Sequence, residues 1–274
     1  MKKIILGLLV FVAVFSLASC GKNETTATPT GDEPSNITTP TQDEIKTMTY
    51  SEFMAAESGD DVRIEGYIAA KQSFWNNAAV VYLVGGIGEG YLIYNMPMTE
   101  EEYNSLYTIG TCINVKGTKA IYALEHEIDG AKGVEVTVKN DAKEFQKEAI
   151  DLTESVDSDA IFKYQNAYFK ATLKVKEYTT TSSDTGVSAN KAYGYKGDEP
   201  TDDLYICFED EKGNVLNACI EAYLTNKTTD VYDYVLNHLE VGQLVTIEGY
   251  LYWWNGANPH ITSITQPPYV SALY

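Results

Sequence analysis

The octapeptide GTCINVKG at residues 110–117 has a counterpart, GQLVTIEG, at residues 242–249, and the surroundings of the two copies also correspond. Both begin and end on glycine, with apolar residues at matching positions between. TEEEYNSLYTIG (99–110) precedes the first and TDVYDYVLNHLEVG (229–242) the second, each with the pattern of a short helix that ends on glycine. Thr99 and Glu102 make a capping box, and Tyr103, Leu106 and Tyr107 share a face, as do Val231, Tyr234, Val235 and Leu239 in the second copy. Gly110 and Gly242 stand where a helix C-cap favours a left-handed residue. Upstream of each helix lie three strand-like runs: VRIEGYIA, AVVYLV and YLIYNM in the first unit, FKATLKVKEY, LYICFE and VLNACIEAY in the second. Two more follow, INVKGTKAIYAL with GVEVTVK, and LVTIEGYLYWW with PHITSIT. Alternation is plain at 169–176, where Phe169, Ala171, Leu173 and Val175 interleave with Lys170, Thr172, Lys174 and Lys176.

Three strands, a helix and two strands, joined by short connections, is the element order of the five-stranded OB barrel. The sequence therefore predicts a mainly β chain with two consecutive OB-like five-stranded barrels, each with a short helix between strands three and four. The first barrel is expected over 48–140, a linker over 141–166 and the second barrel over 167–274. The tetrapeptide IEGY occurs at 64–67 on strand one of the first unit and at 247–250 on strand four of the second, so its two copies are not equivalent. They share a local need, a glycine where a strongly coiled strand bends to close a barrel. In strand order and glycine spacing, residues 48–274 resemble the tandem OB-fold domains of uncharacterised bacterial surface lipoproteins. That resemblance implies a binding module and no particular ligand.

The N-terminus carries Lys2 and Lys3, an uncharged apolar run from Ile4 to Phe15, and then Leu17-Ala18-Ser19-Cys20. The run is short for a permanent span, which needs roughly 20 apolar residues, and fits an export signal. Its ending resembles the bacterial lipobox, which implies removal of residues 1–20 as a signal, acylation at the Cys20 thiol, and anchoring to membrane lipid on the extracytoplasmic side of a cell or outer membrane. Residues 21–47, rich in Thr and with Pro, hold too few apolar side chains to offset the entropy of ordering, and read as a disordered tether. With 20 Lys and Arg against 39 Asp and Glu, the formal charge is −19. No basic cluster stands out beyond the alternating Lys170, Lys174 and Lys176, so nucleic acid is not expected as a partner.

Sequence features that would mark chemistry are weak. GGIGEG (85–90) lacks the spacing of a dinucleotide loop and leads into a strand, so it reads as a hairpin connection. Glu125-His126-Glu127 and the run from Glu209 to Asn214 read as solvated turns rather than metal sites. No Ser, His and Asp order marks a nucleophile with its base. The expectation is a protein that is not an enzyme, with no cofactor and no metal.

The rings say more, with 21 Tyr and 3 Trp in the chain. On strand four of the second unit, Val245, Ile247, Leu251 and Trp253 share the core parity and Tyr250, Tyr252 and Trp254 the other. With Asn255, Asn258 and His260 in the following loop, this row is a candidate ligand platform for a neutral extracellular ligand such as a glycan. Alternatively the row packs against the neighbouring barrel or the 177–203 loop, which would make the chain a structural or protein-interaction lipoprotein. Phe74 and Trp75 form a second candidate patch. Cys207 and Cys219 are a candidate disulfide: a three-residue loop at 212–214 sets them face to face, whereas a two-residue loop puts the sulfurs on opposite faces. Cys112 is expected as a buried, reduced thiol.

Overall fold

A computed structural model describes residues 45–139, 147–180 and 185–267. Cys20, the run read as an export signal and residues 21–44 of the stretch read as a tether lie outside the described residues. The body opens with helix α1 (Tyr50–Ala55), where Thr49 and Glu52 form a capping box and Tyr50 and Phe53 are buried. The first barrel follows as β1 (Asp61–Lys71), β2 (Ala78–Gly86), β3 (Glu89–Pro97), β4 (Cys112–Tyr122) and β5 (Glu125–Asp129). Its hydrogen-bonded order is β1-β2-β3-β5-β4, and β4 returns to β1, which closes the barrel. The β3–β5 pair is parallel and the other neighbours antiparallel. A sixth strand, β6 (Glu135–Lys139), pairs along β4.

The second unit runs through β7 (Ile150–Asp151), α2 (Ser158–Ile161), β8 (Tyr168–Lys176), the hairpin β9 (Thr185–Val187) and β10 (Gly194–Lys196), β11 (Leu204–Glu209), β12 (Val215–Ile220), α3 (Ala222–Thr225), α4 (Asp230–Asn237), β13 (Leu244–Tyr250) and β14 (His260–Thr265). Strands β8-β11-β12-β14-β13 close in the same order as the first five, with β12 and β14 parallel. The protein thus contains two OB-like barrels in tandem, each with a short helical segment between its third and fourth strands. In the first this is a single π-helical turn, Glu102–Leu106, and in the second it is α4.

Local chemistry explains the closures. β1 pairs with β4 over Asp61–Tyr67 and with β2 from Tyr67 onward, so Gly66 stands where the strand changes partner; a Cβ there would come 3.1 Å from Leu83 Cβ. Gly249 lies at a bulge between β13 and β14, where a Cβ would meet the His260 carbonyl oxygen at 2.2 Å. Both IEGY glycines therefore serve close approach at a bend. The alternation at 169–176 holds, with Phe169, Ala171, Leu173 and Val175 in the core.

Several expectations are corrected. Gly110 and Gly242 have left-handed φ of 89° and 87°, but the C-caps are Tyr107 and His238. The glycines belong to the turns that lead into strand four, where Gly110 N donates to Ile68 O and Gly242 N to Val175 O, both at 2.8 Å. The segment read as a linker supplies Leu152, Val156 and Ile161 to the second core. Cys207 faces Asn217 and Cys219 faces Tyr205; the two thiols form no disulfide. The register is set by Asp210, whose side chain accepts from the amides of Lys212 (2.9 Å), Asn214 (2.8 Å) and Val156 (3.1 Å), so Glu209 rather than Glu211 faces Val215. Cys112 is buried.

Candidate ligand-binding groove

OB barrels commonly take ligands on the face of strands two and three, flanked by the loops between strands one and two and between four and five. In the first barrel that face is covered. Ala69, Val80, Tyr82, Val84 and Leu92 pack against Tyr168 and Tyr250 of the second barrel in a continuous apolar seam. Tyr250 is 1% exposed, lies 4.7 Å from the Tyr82 ring and donates its hydroxyl to Ala69 O at 2.8 Å. His260 is buried, stacks on Tyr252 at 4.4 Å, and its Nδ1 lies 2.8 Å from the Tyr82 hydroxyl. Burial pushes the His260 imidazole down to about 3, so it is neutral in the seam at physiological pH.

The Glu125-His126-Glu127 run, read above as a solvated turn, lies on β5 against the same seam. Glu125 is 1% exposed. Its carboxylate accepts from Trp253 N at 2.7 Å and from the Asn166 side-chain amide. Beside it, Lys119 is fully buried with its Nζ 3.3 Å from the Phe53 ring centroid. Burial pushes this ammonium down to about 7 and Glu127 up to about 7, while Glu125 is held well above the usual carboxylate range. His126 is pushed down to about 4 by burial and by the Lys119 charge. Such perturbed groups cluster at functional sites as well as in buried structural networks. Here Glu125, on the first barrel, holds the Trp253 amide and the Asn166 side chain of the second unit, which fits a structural role.

The platform expected at Tyr250, Tyr252 and Trp254 is therefore not one surface. Tyr250 and His260 are inside the seam and Tyr252 is half-buried on His260, while Trp254 is 49% exposed and meets the edge of Tyr122 at 5.5 Å. Asn255 N donates to Ala123 O at 2.6 Å and Asn258 N to Tyr252 O at 2.9 Å, so both hold the loop in place. Strand parity cannot distinguish a ring that faces water from one that faces another domain.

Open surface lies instead at the loop between β1 and β2. The sequence Trp75-Asn76-Asn77-Ala78 makes a two-residue hairpin turn. Asn76 and Asn77 have φ of 50° and 56°, and Trp75 and Ala78 exchange two backbone hydrogen bonds of 3.0 Å. Paired left-handed residues are what such a turn demands, and asparagine tolerates them. The turn holds Trp75 outward, 82% exposed, while Phe74 packs back against Tyr103 at 5.7 Å. Opposite, Ala79 pairs with Met96 and Val81 with Ile93, so Tyr94 and Asn95 together face Val80 as a bulge that turns Tyr94 outward. From the second barrel comes Tyr223 on α3, 61% exposed, whose carbonyl accepts from Ser73 N at 2.8 Å and Ser73 Oγ at 3.1 Å. Trp75, Tyr94 and Tyr223 line a groove of about 270 Å3 with Gln72, Ser73 and Asn95, floored by Ala78, Ala79 and Val80. Three ring faces with amide groups between them can hold a flat ligand by stacking. Of the expected residues only Trp75 is here. Tyr94 and Tyr223 went unread, because the bulge and the docked helix leave no local sequence signal.

No protein-family model matches the chain, and no curated protein is significantly similar to it in sequence. Among solved structures it is similar to a replication protein A heterotrimer bound to single-stranded DNA, at 9% identity over 82% of this chain and 70% of the other, with a TM-score of 0.29. It is also similar to a murine DNA-binding protein bound with double-stranded DNA, at 8% identity over 76% and 100%, TM-score 0.32. The wild-type single-stranded DNA-binding protein of Thermus aquaticus matches at 13% identity over 77% and 94%, TM-score 0.23. The OB-like assignment rests on strand order rather than on these scores. Two expectations are nonetheless corrected. The glycan platform is overturned by the burial of Tyr250 and His260, and Trp254 is too exposed for a row wholly packed between domains. The exclusion of nucleic acid, which rested on net charge and the lack of a basic cluster, is withdrawn: both concern contacts to phosphate, and neither bears on stacking against the exposed rings around Trp75.

Proposed function

We propose that the protein is a non-enzymatic binding module that stacks the bases of a short single-stranded nucleic acid on Trp75, Tyr94 and Tyr223. The observation that carries this reading is the groove itself: three exposed rings, of which Trp75 stands on the loop between strands one and two of an OB-like barrel, a location such barrels use for oligonucleotides, while Tyr94 of β3 and Tyr223 of α3 line the groove beside it. Base-on-ring stacking contributes roughly 1–3 kcal/mol per base and tolerates any sequence. The formal charge of −19 opposes phosphates, so the attraction is led by stacking and its salt dependence is shallow, unlike that of proteins that neutralise many phosphates. The lipobox-like Leu17-Ala18-Ser19-Cys20 supports a lipid-anchored, extracytoplasmic location for this module.

The test is titration of the full chain with short fluorescein-labelled oligothymidine and oligoadenine, followed by anisotropy at two salt concentrations. Trp75→Ala is expected to weaken binding about tenfold with no change in thermal stability, since the ring is exposed. Absence of binding by the wild-type chain, or equal binding by Trp75→Ala, refutes the reading.

A further inference from the structure

We infer that the outer face of β1, β4 and β6 carries an oxyanion-binding site, for a phosphate or carboxylate group, in a cavity of about 520 Å3 lined by Lys46, Thr47, Arg63, Asn114, Thr137 and Lys139. The chain has 39 acidic and 20 basic residues. This cavity nevertheless gathers three cations, and the adjoining carboxylate, Glu65, is engaged by Lys139 at 3.5 Å and by Asn114 Nδ2 at 3.3 Å. Glu52 is committed to Thr49 at the start of α1. The neighbouring row on the sheet is neutralised separately, by Lys116 with Glu135 at 3.1 Å.

Arg63 is the only arginine in the sequence, and its planar fork suits an oxyanion where a lysine offers a point charge. It makes no ion pair among the described residues. The buried Asn114 fixes it. Asn114 Oδ1 accepts from Arg63 Nη1 at 3.1 Å, and Asn114 Nδ2 is turned the other way by Thr47 Oγ1 at 3.1 Å and by Glu65. Register explains the convergence: Glu65 faces Asn114 across β1–β4, Asn114 faces Thr137 across β4–β6, and Arg63 lies two residues along β1 on the same face. Arg63 Nε is shielded from water with no hydrogen-bond partner. A buried cationic donor left unsatisfied is costly, and a small rotation of the fork toward an oxyanion in the cavity satisfies it. The site is separate from the aromatic groove and uses a face that OB barrels do not ordinarily offer to ligands.

The experiment is thermal denaturation of the full chain in sodium phosphate, sodium acetate and sodium chloride at matched ionic strength, with isothermal titration of whichever anion acts. A ligand that binds only the native state raises its apparent stability. Phosphate or acetate is expected to raise Tm beyond chloride, and the stronger of the two identifies the group the site takes. Arg63→Gln is expected to weaken that binding at least about tenfold and Lys139→Gln about threefold. Lys139 is half-exposed, so its variant folds and decides the matter even where Arg63→Gln does not. No shift beyond chloride with either anion, or undiminished binding in Lys139→Gln, overturns the site.

Discussion

Replacing Gly90 by alanine tests how tightly the two barrels are seated. Gly90 lies on β3 against the chain that leads into β8, and a Cβ there would fall 2.1 Å from the carbonyl carbon and oxygen of Asn166 and 2.3 Å from Ala167 N. Ordinary contact begins near 3.4 Å, so the two backbones must part by about 1.3 Å. The segment that must move is fully engaged. Asn166 N donates to Leu251 O at 2.9 Å, Leu251 N to Ala167 O at 3.0 Å, and the Asn166 amide to Glu125 and to His126 O. Overpacking alone costs roughly 1–3 kcal/mol, and each buried hydrogen bond lost adds about 1 kcal/mol, so Gly90→Ala should destabilise by about 3–5 kcal/mol. Gly133→Ala is the control: nothing lies within 4 Å of the added carbon, but its φ of 90° and ψ of 144° belong to a backbone region that is nearly restricted to glycine, so backbone strain alone costs about 1–3 kcal/mol. Urea unfolding of both variants, followed by far-UV circular dichroism and tryptophan fluorescence, gives the comparison. In Gly90→Ala the two barrels should also begin to unfold in separate transitions. A cost no greater than that of Gly133→Ala would refute the claim that this backbone contact seats the barrels.

Two further outcomes follow. Glu127 has its folded pKa raised from 4.5 to about 7, so between those values the native state holds a proton that the unfolded state has released; stability falls as pH rises through that window. Glu127→Gln should remove this fall, so the stability of the variant relative to wild type grows between pH 4.5 and about 7; a difference constant across that window in chemical denaturation would contradict the burial argument. Cys20→Ser should abolish incorporation of radiolabelled fatty acid and leave the export segment uncleaved, as judged by mass spectrometry, and normal labelling of that variant would exclude Cys20 as the anchor.

Barrel order was legible in the sequence because it depends on local regularities. Alternation at 169–176 places one face in a core whatever the neighbours are, and Leu204, Ile206 and Phe208 fall in the second core beside Leu216, Ala218 and Ile220 for the same reason. The seam was not legible. Tyr250 has the parity of an outward residue, and only the partner Tyr82, far away in the chain, makes it an inward one. Glu125 reads as a surface acid until Asn166 and the Trp253 amide are seen to enclose it. The groove falls between these cases. Asn76-Asn77 is a readable turn that presents Trp75, whereas the bulge that exposes Tyr94 arises from a mismatch with β2 that neither strand carries alone.

The seam also has a consequence for the order in which the chain is made. Tyr82 is synthesised with the first barrel, yet His260 and Tyr250, which cover it, lie at the far end of the chain, the former 178 residues later. Until β13 and β14 arrive, the first barrel can close around its own core but presents Val80, Tyr82, Val84 and Leu92 bare to water. Closing a contact of such sequence separation is slow relative to local folding, and an uncovered apolar sheet face is an invitation to intermolecular association. A transcript truncated before residue 250 would therefore yield a first barrel that is folded but adhesive.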